Sequence, residues 1–555
     1  MKSKLFILFF LFSFYHLKGQ VEVTLGPEVG NASNSYLNRI IQGDGNAIYS
    51  YRVKTKGGGF SYFIEKYEKE TMKLLFLKEI KSEQNQNVNV ENVFYTSGNV
   101  MVFISHFYKE RNLMSLCYSS VSQTGELVFE NVELLNVQSN DRELVDFDLS
   151  LNPDKTKVLI KVCYAASEKD FFKTDFVLYE TMSMKQLFKK QVDKSLPSKV
   201  FIRTTASSKV PVKNRDFHEL MLDKEDNIYY VYSTKMQGEQ ARYSLAIDII
   251  PAASNSVNSH QLDITDLFRV EDLYIIKNGD KELVVAGFVK EQEKKTGFDL
   301  LRLGLFNFTV NLSDYSIINR ELMTFNDSML NALRVTPKLS HFFKYKMDYA
   351  YAVGSDIYFI GEQYARGPYG ATRNNPDGPL VNPNDNTEPF YNYNDVIVAK
   401  LNSAGKWEWT KVIPLRFKFD QMDPYVSTQY IAYLASKSIC ILHNDKKGNL
   451  KVFDKPVLEL EHLGNTKKSK GSDFVCREIS LSDGKIKSSV VFSNDNYCFD
   501  PIPSLDYTGS FPPYSERKLY YSSSDSDLFI NGAKNEIYIY TQTTLKGRFV
   551  KLKFN

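Results

Sequence analysis

Tryptophan is almost missing from this chain, with two residues in 555. Cysteine is scarce at five and histidine at seven. An odd, widely spread set of thiols cannot form a disulfide framework, which excludes the small disulfide-stapled scaffolds. His16, His106, His218, His260, His341, His443 and His462 show no ligand spacing, so the common zinc sites have no support. No G-x-S-x-G, H-E-x-x-H, P-loop or C-x-x-C motif occurs, and no S-x-D-x-G-x-x-W box, so the chemistries those motifs carry have no support either. A charge excess of one sign is also lacking. The formal charge is +3, and Lys2, Lys4 and Lys18 account for all of it. A neutral remainder speaks against nucleic acid as a partner. Long apolar runs are absent except Leu5 to Tyr15, LFILFFLFSFY, which is too short to cross a bilayer as a helix. With Lys2 and Lys4 before it and Gly19 after it, the stretch 1–19 reads as an export signal, and the mature chain, 20–555, begins near Gln20 or Val21.

What is present favours strands. Hydrophobic residues make 43%, with 35 Tyr and 39 Phe. One pattern recurs: a turn rich in Gly, Asp, Asn, Lys or Ser, then a branched and aromatic run. It occurs as DGNAIYSY (44–51), SGNVMVFI (97–104), PDKTKVLI (153–160) and EDNIYYVY (225–232). It continues as GDKELVVAG (279–287), GSDIYFIG (354–361), SKSICILH (436–443) and AKNEIYIY (533–540). With Ala47, Val100, Val158, Ile228, Leu283, Ile357, Ile439 and Ile537 taken as equivalent, the intervals average 70 residues and none is below 53. Hairpins follow most units, as in VIVAKLNSAGKWEWTKVI (396–413). No sustained helical period occurs, and the best helix candidate is 327–333.

Tandem four-stranded units without linkers predict an all-β chain, a single β-propeller of about eight blades, with seven as the alternative. A row of β-sandwiches would show linkers between blocks, and none is visible. The last unit supplies three strands, whereas VEVTLGPEV (21–29) is a spare strand. We therefore expect an N-terminal strand to complete the last blade and remove two open edges. Long insertions fall at 193–216, 323–346, 363–395, 444–472 and 494–518. All are connections from second to third strands or from blade to blade, so they share one face.

The 363–395 insertion is the most distinctive. Tyr364, Arg366, Tyr369, Arg373, Tyr391 and Tyr393 are its candidate ligand-binding residues. Tyrosine joins an apolar face to a polar tip, which suits stacking on a peptide or a sugar. The same aromatics would equally serve to pin a solvated loop to the rim. The Asn and Asp clusters at 374–378 and 382–388 lack calcium-loop spacing. We expect no metal, no cofactor and no catalytic residue that can be named from the sequence. The reading is a monomeric binding or scaffold protein, in the periplasm or outside the cell, whose partner is a polypeptide or a glycan. The alternative is a glycan-active enzyme with carboxylates at the propeller channel. Cys163 and Cys440 read as buried small hydrophobes, and Cys476 with Cys498 is a possible bridge.

GEQY (361–364), YNDVIVAKL (393–401) and GKWEWTKVIP (405–414) resemble a family of uncharacterised exported β-propeller-like proteins of Bacteroidota. The tyrosine-rich insert between the first two blocks is similar too. The resemblance implies export and a propeller-like fold, and brings no catalytic or binding residue with it. LSLNPDKTKVLI (149–160) is similar to the Ser-Pro-Asp-Gly-like turn of periplasmic TolB-type propellers, which is a structural turn.

Overall fold

Five of the eight recurrent branched runs follow a turn with left-handed backbone. Ser97 and Gly98, Lys155, Asp226, Gly279 and Gly354 all have positive φ immediately before such a run. The runs become the second strands of eight sheets: Ala47–Lys56, Asn99–Tyr108, Lys157–Ala165, Ile228–Met236, Glu282–Glu291, Asp356–Gly367, Ser438–Lys446 and Glu536–Gln542. All eight residues taken as equivalent occupy the first or second position of these strands and are buried. The structure, a computed structural model, describes residues 21–30, 35–41, 43, 45–56, 59–80, 88–140, 145–165, 171–197, 218–236, 242–254, 256–262, 264, 268–291, 302–333, 343–367, 390–419, 430–446, 449, 472–494, 529–531, 536–542 and 546–554.

Seven sheets are four-stranded antiparallel meanders of consecutive strands. Here the strands of a blade are called a to d. Strands a are Ser35–Ile41, Val88–Thr96, Val145–Leu151, His218–Leu222, Phe268–Asn278, Phe343–Val353, Tyr430–Leu434 and Phe529–Asn531. Strands b and c are buried on both faces, while strand d alternates, as in Ile317–Thr324. Strand d is therefore the outer rim.

The ring is visible in the packing. Eight apolar clusters join blade 1 to 2, 2 to 3, and so on around to 8 and 1. The last of these places Ile48 and Tyr67 of blade 1 with Tyr538, Tyr540 and Phe549 of blade 8. Eight seams settle the blade number at eight. The eighth sheet takes its outer strand from the start of the chain: Val21–Leu25 pairs antiparallel with Lys546–Phe554, from Val21 opposite Phe554 to Leu25 opposite Val550. Val29 then pairs with Gly547.

The helix expected at 327–333 is present as Asp327–Ala332, capped by the Asn326 side chain, which accepts from Met329 N at 2.9 Å. Leu330 and Leu333 from this segment fill the seam between blades 5 and 6. Four of the five insertions are shorter than the sequence implies, while the connection after Asn494 reaches further, to Phe529. Strands run to Pro197, Gly367, Lys446 and Asn494, and resume at His218, Phe343, Phe390, Ser472 and Phe529. The 363–395 loop thus loses both ends to a lengthened hairpin, because β pairing continues through residues whose polarity had suggested a loop. The 1–19 segment lies outside the described residues. Among the described residues no helix is long and apolar enough to cross a membrane. Cys117, Cys163, Cys440 and Cys476 are free, buried thiols, and Cys498 lies outside the described residues.

A buried ion pair bridges the closing seam. Glu65 accepts from Arg52 Nε at 2.6 Å, Ser50 Oγ at 2.6 Å and Tyr67 Oη at 2.9 Å. Arg52 Nη2 reaches Tyr540 Oη of blade 8 at 3.1 Å. Arg52→Ala leaves the Glu65 carboxylate buried without its cation and is expected to cost about 3–5 kcal/mol in chemical denaturation. A loss under 1 kcal/mol would show that water already reaches this seam.

Candidate functional site

A charged residue in strand b has nowhere to go but into a seam between blades. In the interior of these strands Arg52, His106, Lys161, Lys290, Glu362, His443 and Asp445 are all 5% exposed or less. Strand a adds a second pattern. In blades 2 to 6 it carries a buried acid: Glu91, Asp148, Glu219, Glu271 and Asp348. Glu91, Glu271 and Asp348 are each the extra residue of a β-bulge, at the register shifts 90/92, 270/272 and 347/349. A bulge turns an extra side chain out of the regular alternation, and bulges recur beside functional sites. Gly361 stands opposite the bulge of blade 6, where a Cβ would run into Lys346 O.

Most of these acids have a local cation or hydroxyl. Asp148 pairs with Lys161 at 2.9 Å, Glu271 with Arg269 at 2.8 Å, and Glu91 accepts from Ser105 Oγ at 2.5 Å. The seam between blades 6 and 7 is different. Its lower part is apolar, with Tyr358, Ile360, Val396 and Val398 against Ala432, Ile439 and Ile441. The alternation of these strands carries Glu362 onto the same face of blade 6 as Ile360, and His443 and Asp445 onto the same face of blade 7 as Ile441. Asp348 meets Lys346 at 2.5 Å and accepts from Tyr430 Oη of blade 7 at 2.5 Å. On blade 7, Asp445 accepts from Arg477 Nη2 at 2.6 Å and from Asn449 Nδ2 at 2.7 Å. Asp473 pairs opposite Asp445 in the sheet.

The titration states follow from burial. Glu362 is pushed up to about 8, first by burial and then by the nearby Asp348 charge, with Lys346 opposing. His443 is pushed down to about 3, first by burial and then by Arg477, against the opposing hydrogen bond with Asn444 O. Both are therefore neutral at pH 7. His443 Nδ1 lies 2.9 Å from Asn444 O, so Nδ1 carries the proton and Nε2 offers a lone pair. Glu362 Oε2 and His443 Nε2 have no hydrogen-bond partner among the described residues. The seam thus holds a protonated carboxyl, a neutral imidazole and a carboxylate held by a tyrosine, which is a set able to donate and accept protons. Among the described residues no group of three or more His, Cys, Asp or Glu side chains is arranged to hold a metal ion.

Of the residues singled out from the sequence, Tyr364, Arg366, Tyr391 and Tyr393 lie on the strands that rise from this cluster. Tyr364 pairs with Tyr393 and Arg366 with Tyr391. Tyr369 and Arg373 lie outside the described residues. The cluster beneath was missed in the sequence, although the interruption of a second-strand run by Glu362 and by His443 was there to be read.

No protein-family model matches the chain, and no curated protein matches it. Among solved structures it is similar to the β-propeller domain of the Trilobed protease from Pyrococcus furiosus, at 10% identity over 84% of this chain and 98% of that one, TM-score 0.34. The WD40 domain of SCAP from fission yeast matches at 9% identity over 96% and 94%, TM-score 0.37. The polysaccharide lyase Uly1 matches at 10% identity over 76% and 96%, TM-score 0.38. At such values no residue role passes from these proteins to this chain, and the class, an eight-bladed β-propeller, stands on the strand pairing above.

Stability should report the buried imidazole. A histidine whose folded pKa is lowered contributes stability that is present above pH 6.5 and is lost as pH falls toward 3. At pH 4.5 the wild type should have lost about 2–3 kcal/mol more than His443→Gln, relative to pH 7, in urea melts. Equal losses in the two proteins would mean that His443 is charged or solvated in the folded state.

Proposed function

We propose that this chain is an exported binding propeller that holds a polypeptide or a glycan on the face carrying the b–c connections of blades 6 and 7. The observation that carries this reading is the lengthened hairpin of blade 6. Asp356–Gly367 and Phe390–Leu401 bring Tyr364, Arg366, Tyr391 and Tyr393 together in two cross-strand pairs. A rigid blade holds the root of this hairpin, and binding residues are commonly presented on such scaffolds. The neutral charge outside the leader fits a partner other than nucleic acid. Export to the periplasm or beyond rests on the 1–19 leader and on the resemblance to exported proteins of Bacteroidota. In this reading the molecule acts as a monomer, its ring closed within one chain by the pairing of Val21–Leu25 with Lys546–Phe554.

The test is a side-by-side screen of the wild type and the Tyr364→Ala, Tyr391→Ala, Tyr393→Ala triple variant on peptide and glycan arrays. Any ligand found for the wild type should lose at least tenfold in affinity in the variant. Retained affinity would place binding elsewhere on the ring.

One observation favours a second reading, a glycan-active enzyme. Glu362, pushed up to about 8 by burial and by the nearby Asp348 charge, has the raised pKa of a carboxyl able to serve as a general acid. If that reading holds, the wild type releases reducing ends from a polysaccharide and Glu362→Gln lowers the rate by 10²-fold or more, the scale of general acid catalysis. Absence of turnover on a broad polysaccharide panel would leave the binding reading alone.

A further inference from the structure

The buried carboxyl at the root of the blade 6 hairpin has a consequence for how firmly that hairpin is held. Glu362 is 2% exposed. It pairs across the sheet with Lys346 on strand a and with Val396 on strand c. Among the described residues, the charged and titratable groups around it are these. Lys346, Asp348 and Tyr349 come from its own blade, whereas Asp395, the neighbour of Val396 on strand c, points to the other face with Gln363 and Tyr345. From blade 7 come Tyr430 and His443, with Asp445, Asp473 and Arg477 on the same face. Asp445 and Arg477 neutralise each other at 2.6 Å, Lys346 is engaged by Asp348 at 2.5 Å, and His443 is neutral. No free cation among these is left to balance a second carboxylate beside Asp348.

We propose that opening of the seam between blades 6 and 7 is coupled to the loss of one proton from Glu362, so that rising pH loosens the root of the recognition hairpin. While closed, the seam keeps Glu362 protonated. Once open, the carboxyl meets water and ionises as an ordinary glutamic acid. Opening therefore becomes easier as pH rises above the ordinary glutamate value and stops gaining once the closed form also ionises, at about 8. The shift has its cause in geometry: burial in a seam and a like charge on the adjoining bulge. The inference deepens the binding reading, since it assigns a regulation to the same hairpin, and its relevance to a ligand rests on that reading.

The test is hydrogen exchange of the full chain from pH 5.5 to 8.5, corrected for intrinsic chemical rates. Protection of amides in Asp356–Gly367 and Phe390–Leu401 should fall about tenfold per pH unit between 5.5 and 7.5 and level off above about 8. In Glu362→Gln it should stay constant. In Asp348→Asn, which removes the like charge and keeps an acceptor for Tyr430, the levelling should come at lower pH. A flat wild-type profile, a Glu362→Gln slope equal to that of the wild type, or an Asp348→Asn plateau at the wild-type pH would each overturn the inference. If Glu362→Gln does not fold, the Asp348→Asn plateau decides. No ligand enters this measurement, so a pH-dependent hairpin in a protein that binds nothing on either array would refute the binding reading and leave the coupling standing.

Discussion

Each blade buries both faces of its middle strands against its neighbours. A row of eight such sheets would leave one face of the first and one face of the last in water. The pairing of Val21–Leu25 with Lys546–Phe554 removes that penalty, because it completes the last sheet and brings its free face onto blade 1. Tyr67, Tyr538, Tyr540 and Phe549 then form an apolar cluster. The Arg52–Glu65 pair becomes tolerable there only because hydroxyls from both blades finish its hydrogen bonding. The other seven seams can be imagined in an open stack. This one exists only in a closed ring.

A closed ring with doubly buried middle strands also governs where chemistry resides. A polar side chain on strand d is solvated and costs little. The same side chain on strand b is committed to a seam, and desolvation then decides its protonation. The seam between blades 6 and 7 concentrates this effect, with Asp348, Glu362, His443, Asp445 and Arg477 stacked above an apolar floor. Burial and the neighbouring Asp348 charge push the Glu362 carboxyl up, while blade 7 pairs Asp445 with Arg477.

Much of the architecture was legible. The turn-then-branched-run pattern marked strand b in every blade, since a strand buried on both faces must read as a near-continuous apolar run. Three strands in the last unit and a spare one at the start pointed to the closure, and the Asn326-capped helix was found where it was sought. The lengthened hairpin of blade 6 was not legible: Tyr364, Arg366, Tyr391 and Tyr393 sit among Gly, Pro and Asn, and polar composition hid their pairing. The polar cluster was hidden for a different reason. Lys346, Glu362, Tyr430, His443 and Arg477 are far apart in sequence and converge only when blades 6 and 7 stack. Single residues did carry a signal, because an ionisable side chain in the middle of a second-strand run is buried, as Arg52, Lys161, Lys290, Glu362 and His443 all are.

The closing seam joins groups as far apart as Arg52 and Tyr540, 488 positions along the chain. Contacts of such separation are the slowest to form, because the entropy of bringing distant segments together must be met before the contact gives anything back. Seven blades can assemble from neighbouring strands as a polypeptide emerges, yet the eighth must wait for the final residues to arrive. Until then the opening strand has no partner, and an intermediate with two uncovered sheet faces persists. Such a species exposes apolar surface and unpaired strand edges, which makes it prone to aggregation until the ring closes.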